Sequence, residues 1–119
     1  MSLNVRSLAK STLNDSANAS LYEPASGKAA IVKSIRLVNT GTVAVTVNLS
    51  VRRGISGSGP RIGPKDLSIP PGCMYSDDEE VTLERGNGTT TQDHILGWAA
   101  SGQNGLVEYV ISGVERDQT

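Results

Sequence analysis

Between Val43 and Val51 the chain alternates, with Val43, Val45, Val47, Leu49 and Val51 on one parity and Ala44, Thr46, Asn48 and Ser50 on the other, Arg52 continuing the second set. A period of two puts five aliphatic groups on one face of a strand and small or polar groups on the other. The preceding segment, Ile31 to Asn39, is equally rich in β-branched residues but less regular: Ile31, Lys33, Ile35 and Leu37 share one parity, and Val32, Ser34, Arg36 and Val38 the other. Asn39-Thr40-Gly41-Thr42 joins the two arms, and the short connection predicts an antiparallel hairpin around which the other segments pack.

Residues 1–18 are rich in Ser and Asn, and Leu3, Leu8 and Leu13 are too widely spaced for a helix face, so this stretch reads as an extended N-terminal arm lying on the domain or on another subunit. Residues 19–119 read as one domain. A first short strand is expected over Ala19 to Glu23, and edge strands over Arg61 to Ile69, interrupted by Pro64. A type II turn is expected at Pro70-Pro71-Gly72, then strands at Cys73 to Ser76 and Val81 to Glu84. His94 to Ala100 and Leu106 to Glu115, joined through Asn104-Gly105, read as a second hairpin. Seven or eight short strands, frequent turn signals and no helical period predict an all-β fold: an antiparallel β-sandwich, with the jelly roll as one form of it. No fixed-period repeat argues for a solenoid or propeller.

Composition narrows the kind of core. Among 119 residues there is no Phe, one Trp and three Tyr, so the core is aliphatic, and 37% hydrophobic content with 13 Gly suits a loop-rich β protein or a subunit stabilised by its neighbours. The formal net charge of -1, from 11 basic and 12 acidic residues, draws the chain to neither nucleic acid nor an anionic membrane. No apolar run approaches the roughly 20 residues that span a bilayer, and the first residues lack a charged-then-apolar leader pattern; the expectation is a chain neither membrane-spanning nor exported by a cleaved signal.

Candidate chemistry is sparse. Cys73 is the one cysteine, which excludes an internal disulfide, and after Pro-Pro-Gly it is expected as a small half-buried apolar residue. Gly54-Ile55-Ser56-Gly57-Ser58-Gly59 misses the spacing of a nucleophile elbow, and Ser26-Gly27-Lys28-Ala29 lacks the first glycine and the hydroxyl of a phosphate loop; both read as turns or loops. His94 is the one histidine, and in a strand its side chain and that of Asp93 diverge, so a polar residue at a strand edge is expected in place of a His-Asp relay. Asp77, Asp78, Glu79 and Glu80 form a solvated acidic loop, with a weak cation or a basic partner as the other reading. Trp98, Tyr22, Tyr75 and Tyr109 are expected in the core or a subunit interface, or else as a sugar-stacking platform. No catalytic, cofactor-binding or metal-binding residue is assigned.

The order of signals resembles a known group. A polar arm, Leu21-Tyr22-x-Pro24-Ala25-x-Gly27-Lys28, an Ile/Val-rich strand ending in Asn39-Thr40-Gly41, a Val-alternating strand, Leu67-x-Ile69-x-Pro71-Gly72, Leu83-Glu84-x-Gly86 and a terminal Val110-Ile111-Ser112-Gly113-Val114-Glu115 are similar to small bacteriophage virion structural proteins over about residues 20–115. The sequence departs from that pattern after Gly86, where Asn87 to Asp93 intervene as an insertion. The resemblance implies a non-enzymatic β-sandwich subunit located in the virion, associated with tail or baseplate or decorating the capsid. Its partners would be other virion proteins and further copies of itself, as a homo-oligomer such as a trimer or ring. The alternative is a host-surface adhesin or carbohydrate-binding module, with Trp98 and the loops 54–59 and 86–92 meeting a host glycan.

Overall fold

In the computed structural model of the chain, which describes residues 6–16, 19–25, 27–52, 61–78, 80–84 and 93–117, the described residues form strands and turns and no helix. The strands are β1 (Arg6–Thr12), β2 (Ser20–Tyr22), β3 (Lys28–Asn39), β4 (Val45–Arg52), β5 (Leu67–Ile69), β6 (Met74–Asp77), β7 (Val81–Glu84), β8 (His94–Ala99) and β9 (Val107–Asp117). They make two antiparallel sheets packed as a sandwich. One has the order β1-β9-β3-β6, with β7 also on β3; the other has the order β2-β8-β4-β5. β6 pairs with Ile35–Val38 and β7 with Ala29–Val32, so together they fill one strand position beside β3.

The connectivity is that of a jelly roll. Strands pair as β1 with β9, β2 with β8, β3 with β6 and β7, and β4 with β5, each pair nested inside the previous one. Apart from the β4–β5 step and the passage from β6 to β7, each connection crosses from one sheet to the other. Both expected hairpins are therefore corrected. β3 and β4 lie in opposite sheets, as do β8 and β9. The turn residues do reverse the chain, but they carry it over the end of the sandwich instead of to the neighbouring strand. This lets the apolar faces of both arms meet across the core.

Asn39 holds the first of these corners. Fully buried, its Nδ2 donates to Val43 O and Ile69 O, both at 2.8 Å, and its Oδ1 accepts the Gly41 amide at 2.9 Å. Its backbone closes the same corner: Asn39 N donates to Cys73 O and Gly72 N donates to Asn39 O. Val43, expected on the apolar face, falls in this corner and is 53% exposed; Val45, Val47, Leu49 and Val51 are buried as the alternation predicts. The Pro70-Pro71-Gly72 turn forms as expected, with Gly72 at φ 75° and Cys73 N donating to Pro70 O.

The uneven parity of β3 has a structural cause. The register against β9 shifts between Val32 and Ser34, so Lys33 sits in a β-bulge, and the inward residues are Val32 before it and Ile35 and Leu37 after it. β1 carries a similar shift between Ser7 and Ala9, so β3 bulges opposite Gly113 and Ser112, and β1 opposite Ser112 and Ile111. Arg6–Thr12, within the stretch expected as an arm, lie on the domain as β1, an edge strand of this sheet. Leu13 follows it into the core with no exposed surface; its amide donates to Val107 O and its carbonyl accepts from Gly105.

The core is aliphatic. Val32, Ile35, Leu37, Leu83, Val107 and Ile111 from one sheet meet Val45, Val47, Leu49, Val51, Ile69 and Ile95 from the other. Gly97 on β8 leaves the space that Leu21 enters: a Cβ there would lie 2.6 Å from Leu21 Cδ1 and 2.8 Å from Leu49 Cδ2.

Candidate functional site

Two regions carry most of the polar chemistry, both on outward faces. On the β2-β8-β4-β5 sheet, strand alternation turns Asn48, Ser50 and Arg52 of β4 and His94, Leu96 and Trp98 of β8 away from the core. Asn48, Ser50, His94 and Leu96 are nonetheless buried. The expectation of His94 at a strand edge is corrected: β8 lies between β2 and β4, His94 pairs in register with Arg52, and its ring is held on both sides. Nδ1 is 3.0 Å from Ser20 Oγ, and Nε2 is 3.0 Å from Arg52 Nη2 and 3.6 Å from Glu23 Oε2. Ser50 Oγ and Arg52 Nε are buried with no hydrogen-bond partner among the described residues.

Asp93, next to the histidine in sequence, serves a strand junction: its Oδ2 accepts the Glu84 amide at 2.9 Å and ties the start of β8 to the end of β7. Nearer the other end of the β4–β8 ladder, where it pairs with Trp98, Asn48 braces the approach to β5. Its Oδ1 accepts from Arg61 Nη1 at 2.6 Å and from Asp66 N at 2.9 Å, and its Nδ2 donates to Asp66 Oδ1 at 3.1 Å. Asp66 is thereby held at φ 52°, a left-handed conformation that Asp tolerates better than most residues. These polar contacts were not legible in advance, because Asn48 and Ser50 sit on the parity that an alternating strand assigns to solvent.

The other expected features separate in space. The acidic run splits. Asp77 ends β6, Glu80 pairs with Lys33 on the bulge, and Glu79 lies outside the described residues. Among the described residues no group of three His, Cys, Asp or Glu side chains is placed to hold a metal ion. Cys73, expected half-buried, is exposed, because the turn at Pro70 to Gly72 projects it from the sandwich. The aromatic residues form no common platform. Tyr109 is in the core, Tyr22 and Tyr75 pack against it, and Trp98 alone lies on the outer face of the second sheet. Tyr22 also donates to Glu115 Oε2 at 2.7 Å, tying β2 to β9 across the two sheets. The loops 54–59 and 86–92, and with them the insertion as far as Gln92, lie outside the described residues.

The Asp117 carboxyl and the Tyr109 phenol are displaced from their ordinary values. A hydrogen bond from Lys28 Nζ, 2.6 Å from Asp117 Oδ1, together with the charge of that ammonium, lowers the Asp117 carboxyl below the usual carboxylate range. Burial raises the Tyr109 phenol.

The second region is the outer face of the five-stranded sheet. The registers place Thr12, Glu108, Val38 and Met74 in one row across β1, β9, β3 and β6, and Lys10, Val110, Arg36 and Ser76 in the next. Met74 is 58% and Val110 37% exposed, and Val38 is half-buried. Lys10, Arg36 and Glu108 make no ion pair with any described residue.

No protein-family model matches this sequence, and no curated protein matches it either. Among solved structures, a chain from the structure of infectious bursal disease virus, Gx strain, is similar in shape with a TM-score of 0.43 and 13% sequence identity. The match covers 96% of this chain and 32% of the viral one, so the chain spans about a third of the length of the chain it resembles.

Proposed function

We propose that the chain is a non-enzymatic structural subunit of a virus particle, of the kind that small bacteriophage virion proteins represent, acting through contacts with other virion proteins and with further copies of itself. The observation that carries this reading is the complete nesting of its strand pairs into a double-sheet jelly roll, an architecture used for capsid domains and for lectins. Fold alone does not assign a role. The use of the polar side chains adds to it: Asn39, Asn48, Tyr22 and Asp93 are engaged in fixing corners and sheet junctions. A rigid block with an exposed sheet face suits mechanical packing into an assembly.

Electron microscopy of particles labelled through this chain tests the proposal. Label recurring at fixed positions on tail, baseplate or capsid surface is the expected result, and particles that carry no label would refute it. A glycan array run on the same protein addresses the lectin use of the same architecture. Binding that disappears on Trp98→Ala would replace the structural reading with an adhesive one.

A further inference from the structure

We infer that the outer face of the five-stranded sheet is an interface between two copies of this chain, related by a two-fold axis that runs along the Val38–Val110 diagonal. The proposal deepens the subunit reading, and rests on it only in taking self-association as part of the chain's work. It is carried by the pattern of side chains that the registers fix. Val38 pairs with Glu108 and Arg36 with Val110, so these four residues occupy the corners of one small rectangle on β3 and β9. Val38 and Val110 are on one diagonal, and Glu108 and Arg36 on the other.

Packing this face on a second copy about an axis along the valine diagonal sets Val38 against Val38 and Val110 against Val110, and brings Glu108 of each copy to Arg36 of the other. Both copies use the same patch, as a closed two-fold interface requires. The charges concerned are exposed and make no ion pair with any described residue of their own chain, whereas Lys33 and Lys28 on the same sheet each have a carboxylate partner. Lys10, beside Val110 on β1, and Met74, beside Val38 on β6, extend the mixed apolar and charged surface in both directions.

The axis runs diagonally to the strands, so the two sheets cross and share an area about four strand positions wide in each direction, about 19 by 19 Å or roughly 360 Å². A standard interface uses about 800 Å² on each partner, so a reversible, concentration-dependent dimer is expected rather than a permanent one.

Sedimentation velocity across a concentration series tests the inference, with Glu108→Arg, Arg36→Glu and the double exchange. Each single reversal is expected to weaken the dimer by about tenfold or more, because a two-fold axis turns one substitution into two like-charge contacts, and the double exchange is expected to restore it. A second measurement does not depend on charge. In a Cys73→Ser background, Val110→Cys sits on the axis and should form an intermolecular disulfide under mild oxidation, whereas Val43→Cys, exposed on the corner instead, should not. A protein that stays monomeric throughout, or a dimer indifferent to both reversals, overturns the interface. A protein that dimerises in this way yet labels no particle sinks the particle reading and leaves the interface standing.

Discussion

Gly113 on β9 lies so close to the Ile31 carbonyl on β3 that a Cβ at this position would stand 2.1 Å from the oxygen. The obstacle is backbone, not the movable end of a side chain, and it sits beside the Lys33 bulge of β3. Gly113→Ala must therefore push β3 and β9 apart at the centre of the sheet. A loss of about 3 kcal/mol or more, or failure to fold, is expected in urea unfolding. Gly97→Ala meets first the side chains of Leu21 and Leu49, which can shift, and should cost about 1–3 kcal/mol. The order of the two variants is the check: a Gly97 variant less stable than the Gly113 one would mean that the β3–β9 contact yields more easily than the core.

Asn39→Ala leaves the buried carbonyl of Ile69 and the half-buried carbonyl of Val43 without their side-chain donor and frees the Gly41 amide. Stranding buried polar groups outweighs the loss of the bonds themselves, so a destabilisation of about 2–4 kcal/mol is expected. Asn39→Asp keeps the shape but removes the Nδ2 donor, placing a carboxylate against two carbonyl oxygens. It should be at least as damaging, as measured by the shift of the urea midpoint relative to Asn39→Ala.

The Lys28–Asp117 pair gives a direct acid-side test. With its carboxyl pKa lowered in the folded chain, Asp117 adds stability at pH values above the ordinary carboxylate pKa, and that stability is lost as the pH falls through the lowered value. Carbon-detected NMR titration of the Asp117 side chain should give a midpoint below that of a free aspartate, and Lys28→Ala should return it to the ordinary range. The pair is exposed, so the accompanying change in stability should be small.

On the alkaline side the sign is reversed in position. Burial raises the Tyr109 phenol, so the unfolded chain ionises first, and stability declines once the pH passes the ordinary tyrosine value. Ultraviolet difference titration of the native protein minus Tyr109→Phe should isolate a phenol ionising later than free tyrosine. A component at or below the ordinary value would show that water reaches the phenol freely.

The sequence carried the all-β class, most strand positions and the aliphatic core, because those follow from local alternation and composition. Val45 to Val51 announced their inward face, and Val81 to Glu84 became β7 with the expected bounds. Strand partnership was beyond it. Asn39-Thr40-Gly41 and Asn104-Gly105 signal that the chain turns, but the same residues serve a hairpin and a corner between sheets. The choice is made by distant strands: β9 competes successfully for β3, and β8 for β4. The broken parity of β3 was visible as irregularity, yet only the register against β9 identifies it as a bulge at Lys33. His94 was misplaced for the same reason, since its burial comes from β2 and β4 on either side, which no local window contains.

Nesting the strand pairs also dictates the order in which the molecule can assemble. Closing β4 on β5 spans the 14 residues between Arg52 and Leu67, whereas β1 finds β9 across almost the whole length of the chain, which is the entropically costliest closure and typical of topologies that fold in milliseconds to seconds. β1 is therefore expected to dock last and leave first, which pulse-labelled hydrogen exchange of its amides would show. Until it docks, β9 offers an open hydrogen-bonding edge that the β1 of another molecule can also reach in a concentrated solution. Refolding at high concentration should accordingly yield strand-exchanged dimers, separable from the face-to-face pair by their slow dissociation.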